Sequence, residues 1–188
     1  MIDENAFGLH VVLASVEDDE YALERTRFIE HLARFDQEVL DWLAANPLGE
    51  GVQAVHLGHA VYFEIAEGDE TQDPFVWLRG ARDRLHDAGF AVVAILAHGS
   101  RWVGEAGAGA DFPGVSVVGD VLVARVSRSS EPLRKSLAAE AAALADDDSG
   151  WGPGLYIDVE AIEAMDRRLR NAPTGLSVGG ATFYRFGS

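Results

Sequence analysis

Apolar residues recur along the chain with two spacings, and these spacings divide it into alternating strands and helices. Runs rich in Val, Ile and Leu are typical of buried strands and cover residues 7–16, 52–57, 60–66 and 90–97. Between these runs the apolar residues follow the longer period of a helix with one buried face. The pattern therefore predicts a mixed α+β fold.

The clearest helical pattern covers residues 19–45. Its aromatic residues recur every seven positions, with Leu32 and Val39 between them, at Tyr21, Phe28, Phe35 and Trp42. This spacing places them on one stripe of a helix, which we interpret as core packing. The acidic run 17–20 suits the start of the helix, because carboxylates are favoured beside the free N–H groups there.

A hairpin and a second helix follow. Gly58 and His59 separate two strand-like runs and suit a two-residue turn with Gly first. Asp73 before Pro74 predicts a helix start, because Asp caps free N–H groups and Pro favours the first helical position, and Gly89 predicts the helix end. The first half thus has the order β-α-β-β-α-β, that of a ferredoxin-like split βαβ arrangement.

The second half begins after a Gly-rich stretch at residues 104–114, which predicts a flexible loop. We expect the order β-α-β-α-β without a clear hairpin, the second of its helices being capped by Asp158. We predict a single compact domain over 1–188, in which sub-halves 5–103 and 115–188 share one core. The strands of the second half are expected at 115–126, 155–157 and 181–186, and the first helix of that half is expected from Ser129 to Leu144.

Charge and composition restrict the partners. The formal net charge of −16 disfavours nucleic acid and anionic membranes, which bind through clustered Lys and Arg. A basic protein partner fits this charge better, whereas a small anionic ligand would need a local cation such as Arg101, and the chain could act as a monomer or a homodimer. The absence of cysteine excludes disulfides, and the acidic N-terminus lacks the features of a secretory signal, so we expect a cytoplasmic protein.

The segment after the fourth predicted strand carries the most suggestive chemistry. His98 could act as a base, Ser100 as a donor or nucleophile, Arg101 as an anion clamp and Trp102 as a stacking surface. Ligand sites often gather beyond the ends of central strands. The alternative is a plain turn at the strand end that contributes no chemistry.

Two further motifs contain residue types that bind ligands or metals. Trp151 lies in a Gly-rich loop and is either a mobile aromatic lid over a ligand or a plug at the edge of the core. His56 and His59 have a metal-like spacing but no third ligand, so we predict no metal site. We also predict no cofactor, because the sequence lacks a phosphate loop, a dinucleotide fingerprint and a nucleophile elbow.

These observations leave two functional hypotheses. The acidic surface and the missing catalytic motifs favour a non-catalytic interaction or regulatory module. The alternative is a small-molecule-binding protein or enzyme with a pocket near residues 98–102. Whether the chain is an enzyme is left open by the sequence, since no catalytic motif is recognisable.

Overall fold

The computed structural model describes residues 5–13, 25–50, 52–56, 60–103, 116–118, 153–165, 175–178 and 181–186. The elements in these ranges are β1 (Asn5–Leu13), α1 (Arg25–Ala45), β2 (Gln53–His56), β3 (Ala60–Ala66), α2 (Pro74–Asp87), β4 (Val92–Val103), β5 (Ser116–Val118), β6 (Gly154–Asp158), α3 (Val159–Ala164), β7 (Gly175–Val178) and β8 (Ala181–Phe186). The Gly-rich loop 104–114, the helix expected after Ser129, the Gly58–His59 turn and Trp151 lie outside the described residues.

The described strands form one mixed sheet with the order β2-β3-β1-β4-β6-β8-β7, and β5 pairs with β4 beside this path. Strands β4 and β6 run parallel, and the other described pairs are antiparallel. The α+β class predicted from the sequence is confirmed. The sheet is continuous from the first half of the chain into the second, because β6 pairs directly with β4.

The three described helices contribute to one apolar cluster with alternate residues of the strands. We call the sheet face that lines this cluster the helix face; it carries Phe7, Leu9, Val11, Phe63, Leu96 and Ile157, all at most 2% exposed. Phe35 and Val39 of α1 are fully buried there, and Leu32 and Trp42 pack against the cluster partly buried. The apolar stripe predicted for the long helix is therefore confirmed for these residues.

Two strand predictions need correction. Strand β4 continues to Val103 instead of ending at residue 97, because β1 pairs with it as far as Ser100 and β5 pairs with the residues beyond. The second half also contains a hairpin that the sequence pattern did not indicate, formed by β7 and β8. Strand β7 has four residues, GLSV, which is too short to give a clear alternation of apolar and polar positions.

Candidate functional site

His98 is the predicted site residue for which the structure gives the most contacts. It lies within β4, opposite Phe7 of β1, and is 9% exposed. Its ring packs on Phe7 with the centroids 4.8 Å apart. Its Nε2 lies 3.1 Å from Oε2 of Glu67, a half-exposed side chain just after β3. His98 therefore stands at the edge of the core with a carboxylate beside it.

The backbone of His98 is bound to a second acid, Asp158, at the end of β6. The His98 N–H donates to Oδ2 of Asp158 at 3.2 Å, and the N–H of Ala161 donates to Oδ1 at 2.6 Å. Asp158 is thus the helix cap that the sequence predicted, and it also binds β4. Its side chain is 7% exposed.

Burial is the main influence on the charge of Asp158. It raises the pKa of this carboxyl from its ordinary value of 3.8 to about 6, because the ionised form loses hydration. The hydrogen bonds from Ala161 and His98 favour the ionised form and oppose the rise in pKa, whereas the nearby charge of Glu160 adds to it. Asp158 can therefore exchange a proton in the pH range where most proteins work.

Of the other predicted residues, the structure describes Ser100 and the backbone of Arg101 and Trp102, and Trp151 lies outside the described residues. Ser100 is exposed and pairs with Asn5. Arg101 and Trp102 pair through β4 with Val118 and Val117 of β5. The predicted segment after a strand is itself part of a strand, and Glu67 and Asp158 are partners of His98 that the sequence did not predict. The signal for Glu67 was its place directly after a strand.

A row of four polar residues and Ile95 crosses the sheet on the face opposite the helix face. Tyr62, His10, Ile95, Tyr156 and Arg185 are successive cross-strand partners on β3, β1, β4, β6 and β8. We call this group the polar row. The rings of His10 and Tyr62 meet edge to face with their centroids 6.3 Å apart. In the sequence, the four polar members of the row appear only as interruptions of apolar strands.

The polar row is mostly buried. Tyr62 and His10 are 2% exposed and Tyr156 is 1% exposed, while Arg185 at the end of the row is partly exposed. Burying such groups is costly unless they form hydrogen bonds. The helix face carries an apolar set instead. Arg185 is therefore the member of the polar row that a ligand could reach.

Arg185 lies against the segment that leads into β6. Its Nη2 donates to the carbonyl oxygen of Pro153 at 3.2 Å. A Cβ placed on Gly154 would come within 3.1 Å of Nε of Arg185, so the missing side chain of Gly154 gives the guanidinium its place. Arg185 is consequently a cation fixed at the accessible end of the polar row.

Among the residues that the structure describes, no three His, Asp or Glu side chains lie close enough together to hold a metal ion. The side chains of His56 and His59 fall outside what is described. Within the same residues, no helix is long and apolar enough to cross a membrane.

No protein-family model matches the sequence, and no curated protein matches it either. Solved structures do match. The guanylyl cyclase Cya2 is 13% identical with a TM-score of 0.58, and the match covers 96% of this chain and 90% of that chain. The adenylyl cyclase CyaB from P. aeruginosa is 11% identical with a TM-score of 0.58, covering 97% and 93% of the two chains.

A third structure is the dimeric guanylyl cyclase domain of the RhoGC fusion protein from the aquatic fungus Blastocladiella emersonii. It is 13% identical with a TM-score of 0.55, and the match covers 98% of this chain and 97% of that chain. The hypothesis of a non-catalytic interaction or regulatory module is wrong on this comparison, because the structures that share the fold along nearly all of the chain are nucleotide cyclases. The alternative, a small-molecule-binding protein or enzyme, is favoured. The chain has the fold of adenylyl and guanylyl cyclase domains.

Proposed function

We propose that the chain is a nucleotide cyclase domain that binds a purine nucleoside triphosphate and converts it to a cyclic nucleotide and pyrophosphate. The observation that carries the proposal is the extent of the structural match. It covers 96–98% of this chain and 90–97% of three cyclase structures, so the likeness in fold extends along nearly all of the compared chains. A nucleoside triphosphate is also the kind of small anionic ligand that the sequence led us to expect.

The reaction requires the negative charge of the triphosphate to be stabilised, which is difficult for a chain that is itself strongly negative. The ribose 3′-oxygen loses its proton and forms a bond to the α-phosphorus, and the bond from that phosphorus to the bridging oxygen of the pyrophosphate breaks. Negative charge on the phosphates must be stabilised by fixed donors or cations. Because the chain itself carries a net charge of −16, its attraction for a triphosphate must come from cations placed locally.

We assign this role first to Arg185. Its guanidinium donates to the carbonyl oxygen of Pro153 and lies beside Gly154, which has no side chain to displace it. Arg185 is also the partly exposed member of the polar row. An Arg fixed in this way loses little side-chain entropy on binding phosphate, and its planar fork suits phosphate oxygens. Its cross-strand partner on β6 is the buried Tyr156.

The segment that the sequence singled out is the second candidate for the ligand contact. His98, Ser100, Arg101, Trp102 and Trp151 remain the predicted residues for it. The observation in favour of this segment is the carboxylate of Glu67 at 3.1 Å from His98, which can orient the imidazole for proton transfer.

The proposal is tested by incubating the purified chain with ATP or GTP and added Mg²⁺ or Mn²⁺, followed by chromatography for the cyclic product. Thermal unfolding with each nucleotide measures binding, since a ligand at a hundred times its Kd stabilises the folded state by about 2.7 kcal/mol. If neither ATP nor GTP gave a cyclic product or a thermal shift, the proposal would be overturned. Binding without product would retain the nucleotide site and overturn the reaction.

Variants locate the site. Arg185→Ala is expected to weaken nucleotide binding at least tenfold, and Arg101→Ala tests the second candidate in the same assay. Arg79→Ala is the matched control, because Arg79 is an exposed cation on α2 paired with Asp83. Equal losses for Arg185→Ala and Arg79→Ala would remove Arg185 from the site.

We also propose that residues 1–188 work as one unit, in which the elements from β1 to β4 have a ferredoxin-like split βαβ arrangement, and that two copies form a homodimer. The continuous sheet and the apolar cluster that draws on both halves support the first point. The dimeric RhoGC domain supports the second. Light scattering on the eluting protein tests the dimer, and a single unfolding transition seen by different probes tests the unit.

A further inference from the structure

The carboxylate of Asp158 accepts hydrogen bonds from both β4 and the first turn of α3. Backbone pairing of β4 with β6 ends at Leu96 and Ile157, and the next N–H of β4 on that side, from His98, donates to the Asp158 side chain. The other carboxylate oxygen accepts the N–H of Ala161 in the first turn of α3. Each oxygen therefore holds one of the two elements. We call this arrangement the Asp158 clasp.

We propose that the Asp158 clasp is a proton-sensitive joint, in which uptake of one proton loosens β4 from the start of α3 and its release tightens the contact. An ionised carboxylate offers two charged acceptor oxygens, and its bonds to N–H groups are stronger than those of a neutral acid. A proton on Asp158 converts one oxygen into a donor. The bond to His98 is the longer of the two, 3.2 Å against 2.6 Å, and should be the one that weakens.

The surroundings of the clasp allow this exchange to occur near neutral pH. Asp158 is 7% exposed, and burial raises its pKa to about 6. The titratable groups that influence it are Glu160 on α3 and His98 on β4, the latter with its ring beside Glu67. On β8, Asp158 is paired with the uncharged Phe183. Burial and these two neighbours therefore set the pH at which the clasp gains or loses its proton.

The inference is independent of the proposed function, since no nucleotide takes part in it. Its test is a pH titration of the isotope-labelled full chain by NMR, between about pH 3 and about pH 7.5, that follows the amide proton of His98. The signal should move upfield as the pH falls, as expected for a weakened hydrogen bond, with a midpoint near pH 6. In Asp158→Asn, which imitates the protonated acid, the amide should keep its low-pH position throughout.

A pair of α3 variants keeps the test decisive if Asp158→Asn does not fold. Glu160 and Glu163 are both exposed, but only the charge of Glu160 contributes to the raised pKa of Asp158. Glu160→Gln should therefore move the midpoint to lower pH, whereas Glu163→Gln should leave it unchanged. A midpoint at the ordinary Asp value of 3.8, or equal midpoints in the two variants, would overturn the inference.

Discussion

Gly80 of α2 lies directly against the indole ring of Trp42 of α1. A Cβ built on Gly80 would stand 2.5 Å from Cζ2 and 2.8 Å from Cη2 of that ring, closer than carbon atoms approach in proteins. Gly inside a helix is unfavourable by roughly 0.5–1 kcal/mol relative to Ala. The absence of a side chain at Gly80 is therefore what permits the two helices to approach so closely on the helix face.

Gly80→Ala is expected to destabilise the protein by about 1–2 kcal/mol. Overpacking at a tight contact costs roughly 1–3 kcal/mol, and the better helix propensity of Ala returns up to about 1 kcal/mol. Urea unfolding of the variant beside the natural chain measures the difference.

Trp42→Phe provides the control for this steric explanation. It removes the ring atoms that the new methyl group would meet, and the Trp42 Nε1 that is lost with them has no hydrogen-bond partner among the described residues. In the Trp42→Phe background, Gly80→Ala should cost at least 1 kcal/mol less than in the natural chain. The same cost in both backgrounds would show that the indole is not the cause.

The start of α2 supplies a second prediction. Oδ1 of Asp73 accepts the N–H groups of Phe75 and Val76 at 2.9 and 3.2 Å, and Pro74 occupies the first turn. Asp73→Ala should lower the free energy of unfolding by about 1 kcal/mol, because these donors lose their acceptor. Asp73→Asn should retain most of the stability. Equal losses in chemical unfolding of the two variants would contradict a capping role.

This cap is also an example of what the sequence can predict. Asp73 with Pro74, and Asp158 before α3, are local signals, because each acts on N–H groups within three residues of itself. The last strand was predicted with its observed bounds for a similar reason, since its pattern is complete within six residues. Strand β4 was predicted too short because its later residues are held by β1 and β5, and such pairing partners leave no trace in the local pattern.

The candidate site was less accessible to sequence reasoning. His98 was identified, but its partners Glu67 and Asp158 lie 31 and 60 positions away and meet it only through the order of the strands. The polar row was missed for the same reason. The register of several strand pairs must be fixed before it is clear that His10, Tyr62 and Arg185 lie in one row on the same face of the sheet.

The ion pair between α1 and α2 should contribute little. Nε and Nη2 of Arg84 both lie 2.8 Å from Oε2 of Glu38, but the two side chains are 37% and 33% exposed. Water and salt screen such a pair, so Glu38→Gln should cost less than about 1 kcal/mol, and the cost should shrink as salt is raised. Urea unfolding at low and high salt measures both effects. A loss above 2 kcal/mol that is insensitive to salt would contradict this account.

Asp158 should make the free energy of unfolding depend on pH in the direction opposite to that of most carboxylates. The folded pKa of about 6 lies above the ordinary value of 3.8, so between these values the folded state binds more protons than the unfolded state. Stability from this group therefore falls as the pH rises from 4 to 7, whereas a carboxylate with a lowered pKa has the opposite effect. The difference of roughly two pH units corresponds to about 3 kcal/mol.

The matched comparison isolates this contribution from the other carboxylates. The free energy of unfolding of the natural chain minus that of Asp158→Asn should decrease by about 2 kcal/mol between pH 4 and pH 7, because the Asn side chain does not titrate. Asp87→Asn serves as the control, since the Asp87 side chain is 87% exposed and its replacement should give a nearly constant difference. If the Asp158→Asn difference were also flat, or rose with pH, burial would not be the dominant influence on Asp158 in solution, and the Asp158 clasp would lose its physical basis.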